Sequence, residues 1–231
     1  MILSVHQPHY IPWIGYFDKI AKSDCFVFLD LVQYKPREFV NRNKIRTQDG
    51  WMWLSLPMVS KGLSGQPICA CRLDNTFPWR RQHWNSMQSW YGGAPFFDAH
   101  KDFFHALYEK EWLNFCDLSV TIIRYVMQQL SVTTPVHFES QLGTTKKSTE
   151  RIVEICLKLH ADTYLSGAGG KAYLEESKFT EAGIRLKYQD FTHPAYQQQF
   201  MKHKEDFLPH MSVLDLLFNE GPRSKEIISS P

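Results

Sequence analysis

The sequence predicts an α/β fold: a mostly parallel open sheet inside a Rossmann-like three-layer core, with a helical insertion. Three observations predict it. Short apolar runs recur between helical patterns, at 2–5, 24–30, 135–139, 161–166 and 183–190. The first two lie far enough apart for the crossover that parallel neighbours require. From 75 to 130 apolar residues return instead at helical intervals. Residues 1–231 are read as one α/β domain with 75–130 as its insertion, long enough to bury a core without staples.

The first run ends in a turn dense with chemistry: His6, Gln7, Pro8, His9, Pro12 and Gly15, before a helical stretch from Phe17. The prolines fix φ and stiffen this crossing, and Gly15 permits close backbone approach. In open α/β sheets, ligands bind at the carboxyl ends of strands. His6 and His9 are therefore candidate bases, since imidazole exchanges a proton near neutrality.

The next strand, 24–30, leads into 35–45. There Lys35, Arg37, Asn41, Arg42 and Lys44 alternate with apolar anchors, as in a loop packed over an anion site. Arginine suits bidentate phosphate contacts. Residues 51–57 and 68–73 read as two more strands, joined by a flexible connector. Three helices follow, with Asn75 or Thr76 as a cap and Pro78 in the first turn of the first of them.

After the strand at 135–139, Ser148 or Thr149 caps a helix start beside Lys146, Lys147 and Arg151, a pattern that suits a phosphate as well as ordinary capping. The strand at 161–166 runs into Ser166, Gly167, Gly169, Gly170 and Lys171. Such a turn presents consecutive amides with a cation beside them. It is neither a dinucleotide fingerprint nor a P-loop. His193, before Pro194, is a further candidate base. A short helix ends before Gly221, with Asp215 and Asn219 on one face, and the last ten residues read as peripheral.

Composition narrows the partners. A net charge of +2 without a basic stripe does not indicate a nucleic-acid binder, while the local patch of Lys35, Arg37, Arg42, Lys44 and Arg46 suits an anionic small molecule. Five cysteines without paired CxxC motifs give no support to a structural zinc site. The sequence has neither a signal-peptide pattern nor an 18-residue apolar span, so the expected location is cytoplasmic with no transmembrane segment. The 33 aromatic residues (16 Phe, 10 Tyr and 7 Trp) leave material for a ligand groove or for oligomerisation.

Five segments together resemble one family. They are His-Gln-Pro-x-Tyr-x-Pro-Trp-x-Gly-Tyr at 6–16, Phe-Val-Asn-Arg-Asn-Lys-Ile at 39–45, Tyr-Leu-Ser-Gly-x-Gly-Gly-x-x-Tyr-Leu at 164–174, His-Pro-x-Tyr at 193–196 and Ser-Val-Leu-Asp-Leu-Leu-Phe-Asn-x-Gly at 212–221. In order along almost the whole chain, they resemble the WbqC-like protein family, which is associated with surface-polysaccharide and O-antigen biosynthesis. The resemblance implies an enzyme that transfers an acyl or aminoacyl group, glycyl among them, onto an amino sugar.

A second resemblance concerns fold. The strand, turn and helix around Gly15 look like the His-x-Gly-His region of the nucleotidylyltransferase-like superfamily, to which pantothenate synthetase belongs. Trp13 and Tyr16 stand where that motif has histidines, which removes its usual phosphate contacts. This likeness implies an acyl-adenylate route using ATP with magnesium, beside a route from an acyl-thioester donor. The acceptor implied is a nucleotide-linked amino sugar. A non-enzymatic nucleotide-sugar or glycan-binding protein fits the same residues.

Overall fold

The computed structural model describes residues 1–36, 38–63 and 65–229. Its main sheet has five strands, all parallel, in the order β5-β2-β1-β6-β7. They are β1 (Ile2–His6), β2 (Cys25–Phe28), β5 (Val136–Phe138), β6 (Thr163–Ser166) and β7 (Arg185–Tyr188). This is the predicted Rossmann-like arrangement, with β1 at its centre.

Side-chain alternation explains the layers. Along β2, Cys25 and Val27 face one apolar cluster while Phe26 and Phe28 face the other. Strands buried on both faces read as unbroken apolar runs, as 25–28 does. On one face lie α5 (Ser148–Lys158) and α6 (Glu176–Glu181). On the other lie α1 (Ile14–Ala21), α2 (Trp79–Tyr91), α3 (Phe97–Glu109), α4 (Phe115–Gln129), α7 (Val213–Glu220) and α8 (Ser224–Ser229). Three helices fill 79–129, and they share their core with α1.

Several local expectations are corrected. Residues 42–47 are not loop but β3 (Arg42–Thr47), which pairs antiparallel with β4 (Gly50–Ser55) in a separate two-stranded sheet. Polar letters hid this strand, because its inward side chains are Asn43, Ile45 and Arg46. Residues 68–73 are not a strand. Pro67 precedes a 3-10 turn over Ile68–Ala70, whose Cys69 amide donates to Asp30 O. Pro78, without a side-chain hydrogen bond, caps α2, and Asn75 instead accepts from the Trp79 indole at 3.1 Å. Nor is the carboxyl-terminal segment peripheral: Ile228 belongs to the large core cluster and α8 packs on α1.

The amino-terminal crossing is clamped in place. Tyr10 N donates to Val40 O at 2.8 Å, Asn43 Nδ2 donates to Ile11 O at 2.8 Å, and Val213 N donates to Pro12 O at 2.8 Å. Ile11 holds φ at +39°, a strained value for a β-branched residue. The hairpin and α7 together hold that strain.

Candidate functional site

Between β1 and β6 the strand order reverses direction, and at such switch points the carboxyl ends of strands open a crevice. A cavity of about 660 Å³ lies there. From β1 and the crossing come His6, Gln7 and His9; from β6 and its turn, Ser166, Gly167, Gly169 and Gly170. Lys35, Phe39 and Val40 close one side, and Tyr173 stands at another. The amino-terminal crossing and the glycine turn thus meet in one cavity.

Lys19, which sequence patterning gave no reason to select, also lines this cavity. It belongs to α1 and is 3% exposed, and its Nζ donates to Val5 O at 3.0 Å. Burial lowers its pKa from 10.5 to about 7. A Cβ added at Gly167 would sit 3.8 Å from this ammonium, so the glycine turn passes directly beside it. Every residue of α1 from Ile14 to Ile20 is buried, so Lys19 has no exposed face of its helix to reach.

His6 and His9 meet edge to face, with ring centroids 4.6 Å apart. Desolvation first, then the Lys19 charge, then His9, push the His6 pKa well below its usual value. His9 is lowered by desolvation and by Lys19. Both rings are therefore neutral at physiological pH. His6 Nδ1 lies 3.1 Å from Gln7 O, an acceptor, so Nδ1 carries the hydrogen and Nε2 keeps the lone pair. The Tyr16 hydroxyl donates to the same carbonyl at 3.0 Å. A fixed tautomer beside a buried ammonium supplies one proton acceptor and one centre for negative charge.

The glycine turn continues as a 3-10 segment, Ala168–Ala172. Amides that open a helical turn have no upstream intrahelical acceptor, so Ala168 and Gly169 can offer theirs to an anion. Ser166 Oγ donates to Gly167 O at 3.0 Å.

Other candidates lie elsewhere. Lys171 sits 5.3 Å over the Tyr188 ring and is not a lining residue. Arg42 and Lys44 stand on the hairpin over tryptophan rings. Asn41 Nδ2 donates to Leu56 O at 2.9 Å and braces the hairpin. Arg37 lies outside the described residues. His193 is not a lining residue, and both its nitrogens are engaged: Nδ1 donates to Pro194 O at 2.9 Å and Nε2 accepts from His210 N at 3.1 Å. At the start of α5 the cap position is Lys147 and no side chain caps it, so neither Ser148 nor Thr149 is the cap. Glu154 accepts from the Thr145 and Lys146 amides just ahead of it. Arg151 pairs there with buried Glu139 at 3.1 Å.

Gly15 serves packing rather than ligand approach. A Cβ there would lie 2.4 Å from the Trp13 ring, itself packed against Phe191 and His210. Gly15→Ala is expected to destabilise the fold by about 1–3 kcal/mol in a denaturant titration while leaving ligand affinity unchanged.

Asp18 is held by Lys22 at 2.8 Å and Gln189 at 2.6 Å, and Asp30 by Ser140 Oγ at 2.6 Å. Among the described residues no group of three or more His, Cys, Asp or Glu is arranged to hold a metal ion. No helix among them is long and apolar enough to cross a membrane.

Comparison with known proteins follows the same span. A profile of the WbqC-like protein family matches residues 7–227. An uncharacterised protein of Mycobacterium tuberculosis is 31% identical over 228 residues, covering 98% of this chain and 96% of the relative. No solved structure matches the chain.

Proposed function

We propose that this protein, which belongs to the WbqC-like protein family, transfers an acyl or aminoacyl group to the amine of an amino sugar. Glycyl is one such group, and the product amide enters a surface polysaccharide. One observation carries the reading: a neutral histidine pair, a lysine with its pKa near 7 and a glycine turn all line one cavity at the strand-order reversal. The family's association with polysaccharide biosynthesis supports the acceptor class.

The donor carbonyl, carried as a thioester or as an adenylate made from ATP with magnesium, enters beside the Gly167–Gly170 turn. The acceptor nitrogen attacks it. A carbon–nitrogen bond forms, the bond to the thiolate or phosphate breaks, and the leaving group departs with the electron pair. His6 Nε2 removes a proton from the amine. Lys19 and the turn amides stabilise the negative charge that develops.

The test is direct. The protein is incubated with a nucleotide-linked amino sugar and either glycyl-thioester or glycine, ATP and magnesium, and amide product is sought by mass spectrometry. Product is expected from one donor. His6→Asn keeps a donor for Gln7 O but no lone-pair nitrogen, and should slow turnover at least about 100-fold with little change in ligand affinity. Tight binding of the nucleotide sugar with no product from either donor would overturn transfer in favour of a binding protein.

A further inference from the structure

The β3–β4 hairpin carries a feature that the cavity chemistry leaves unused. Alternate residues of a strand share a face, so Trp51 and Trp53 project together from β4, across from Lys44 on β3. Lys44 Nζ lies 4.2 Å from the Trp51 ring centroid and 5.5 Å from that of Trp53. Arg42 lies 4.4 Å over Trp53. Among the described residues no carboxylate pairs with Lys44, so the rings are what hold this cation.

Large exposed aromatics are unfavourable in water unless something covers them. Trp51 is 43% exposed and Phe39 is 52% exposed. Phe39 packs on Trp53 with centroids 5.5 Å apart, and Trp53 meets Trp51 at 5.3 Å. Phe39 also lines the cavity. One path therefore leads from the histidine pair, past Phe39, onto two indoles with cations beside them.

We propose that this face binds a nucleoside diphosphate, the portion of the acceptor that lies beyond its amino sugar. This rests on the transfer reading only for the direction in which the acceptor lies. The base stacks on exposed indole and the diphosphate meets Lys44 and Arg42. Base–aromatic stacking tolerates any base, and cations between the rings match the two phosphates. Continuity with the cavity favours this ligand over a membrane surface, because Phe39 both lines the cavity and packs on Trp53, which is half-buried.

The experiment is calorimetric titration at fixed salt with UDP, GDP, CDP and dTDP, and separately with glucosamine 1-phosphate. Wild type is compared with Trp51→Ala and Lys44→Gln, both at accessible positions, after matching their thermal midpoints. At least one nucleoside diphosphate should bind wild type, and each substitution should weaken it about tenfold. Glucosamine 1-phosphate, which has a phosphate but no base, should keep its affinity in Trp51→Ala. The inference fails if no nucleoside diphosphate binds, or if both variants bind as wild type does. It also fails if Trp51 is required instead for sedimentation with phosphatidylglycerol vesicles that UDP does not displace. Should UDP bind in a Trp51-dependent way while no amide forms, the hairpin site stands and only the transfer reading falls.

Discussion

Lys19→Met is expected to produce a more stable protein that binds the proposed anionic donor more weakly. Methionine keeps the length and apolar stem of lysine and removes a charge that burial disfavours. The unfolded lysine titrates near 10.5 and the folded one near 7. Between those values the unfolded chain holds one more proton, so wild-type stability rises with pH across the window. Below pH 7 the penalty is complete, and by pH 10.5 it has gone. Allowing for the lost hydrogen bond to Val5 O, the net gain near pH 7 is about 2 kcal/mol. That corresponds to roughly 4–8 °C in the thermal midpoint. Scans at pH 6 and pH 10 should show the variant's advantage at the lower pH and little at the higher. In wild type, donor binding should weaken as pH rises through 7 and Lys19 loses its proton, a dependence the variant lacks. An unchanged or lower midpoint at pH 6 would mean that the ammonium is better solvated than its burial implies.

Asp215→Ala should have the largest effect on folding. Its carboxylate is fully buried and accepts from Tyr91 at 2.9 Å, Tyr196 at 2.8 Å and Gln198 Nε2 at 2.7 Å. Burial raises its pKa, and the three donors pull the other way. Removing the acceptor strands three buried donors at once, a loss of at least about 3 kcal/mol. Tyr91 Oη also accepts from Arg46 N at 2.8 Å, so the network ties the hairpin to α2 and α7. Chemical denaturation should show the loss, with proteolysis near 42–55 preceding global unfolding. A variant within 1 kcal/mol of wild type would mean that water or repacking replaces the carboxylate.

Much of the sheet was legible because parallel strands buried on both faces are unbroken apolar runs, as at Phe26-Val27-Phe28. The hairpin was not, since Arg42, Lys44 and Arg46 bury or stack their stems while reading as solvated charge. At the cavity, His6, His9 and the glycine turn announced themselves as polar or flexible letters at strand ends. Lys19 did not, because one lysine in an amphipathic helix ordinarily snorkels to water. Burial of α1, with Nζ donating to Val5 O, keeps its ammonium inside. His193 illustrates the reverse case: a histidine before proline looks reactive until both nitrogens are seen to be engaged by backbone.

The central strand has a consequence for synthesis on the ribosome. Leu3 pairs early with Cys25, but its other neighbour, Tyr164, emerges only after the hairpin and three helices have been made. Through that interval one side of β1 is an open, apolar edge capable of pairing with another nascent chain. Overexpression at high temperature should therefore favour inclusion bodies, and slower translation or a holdase should relieve them.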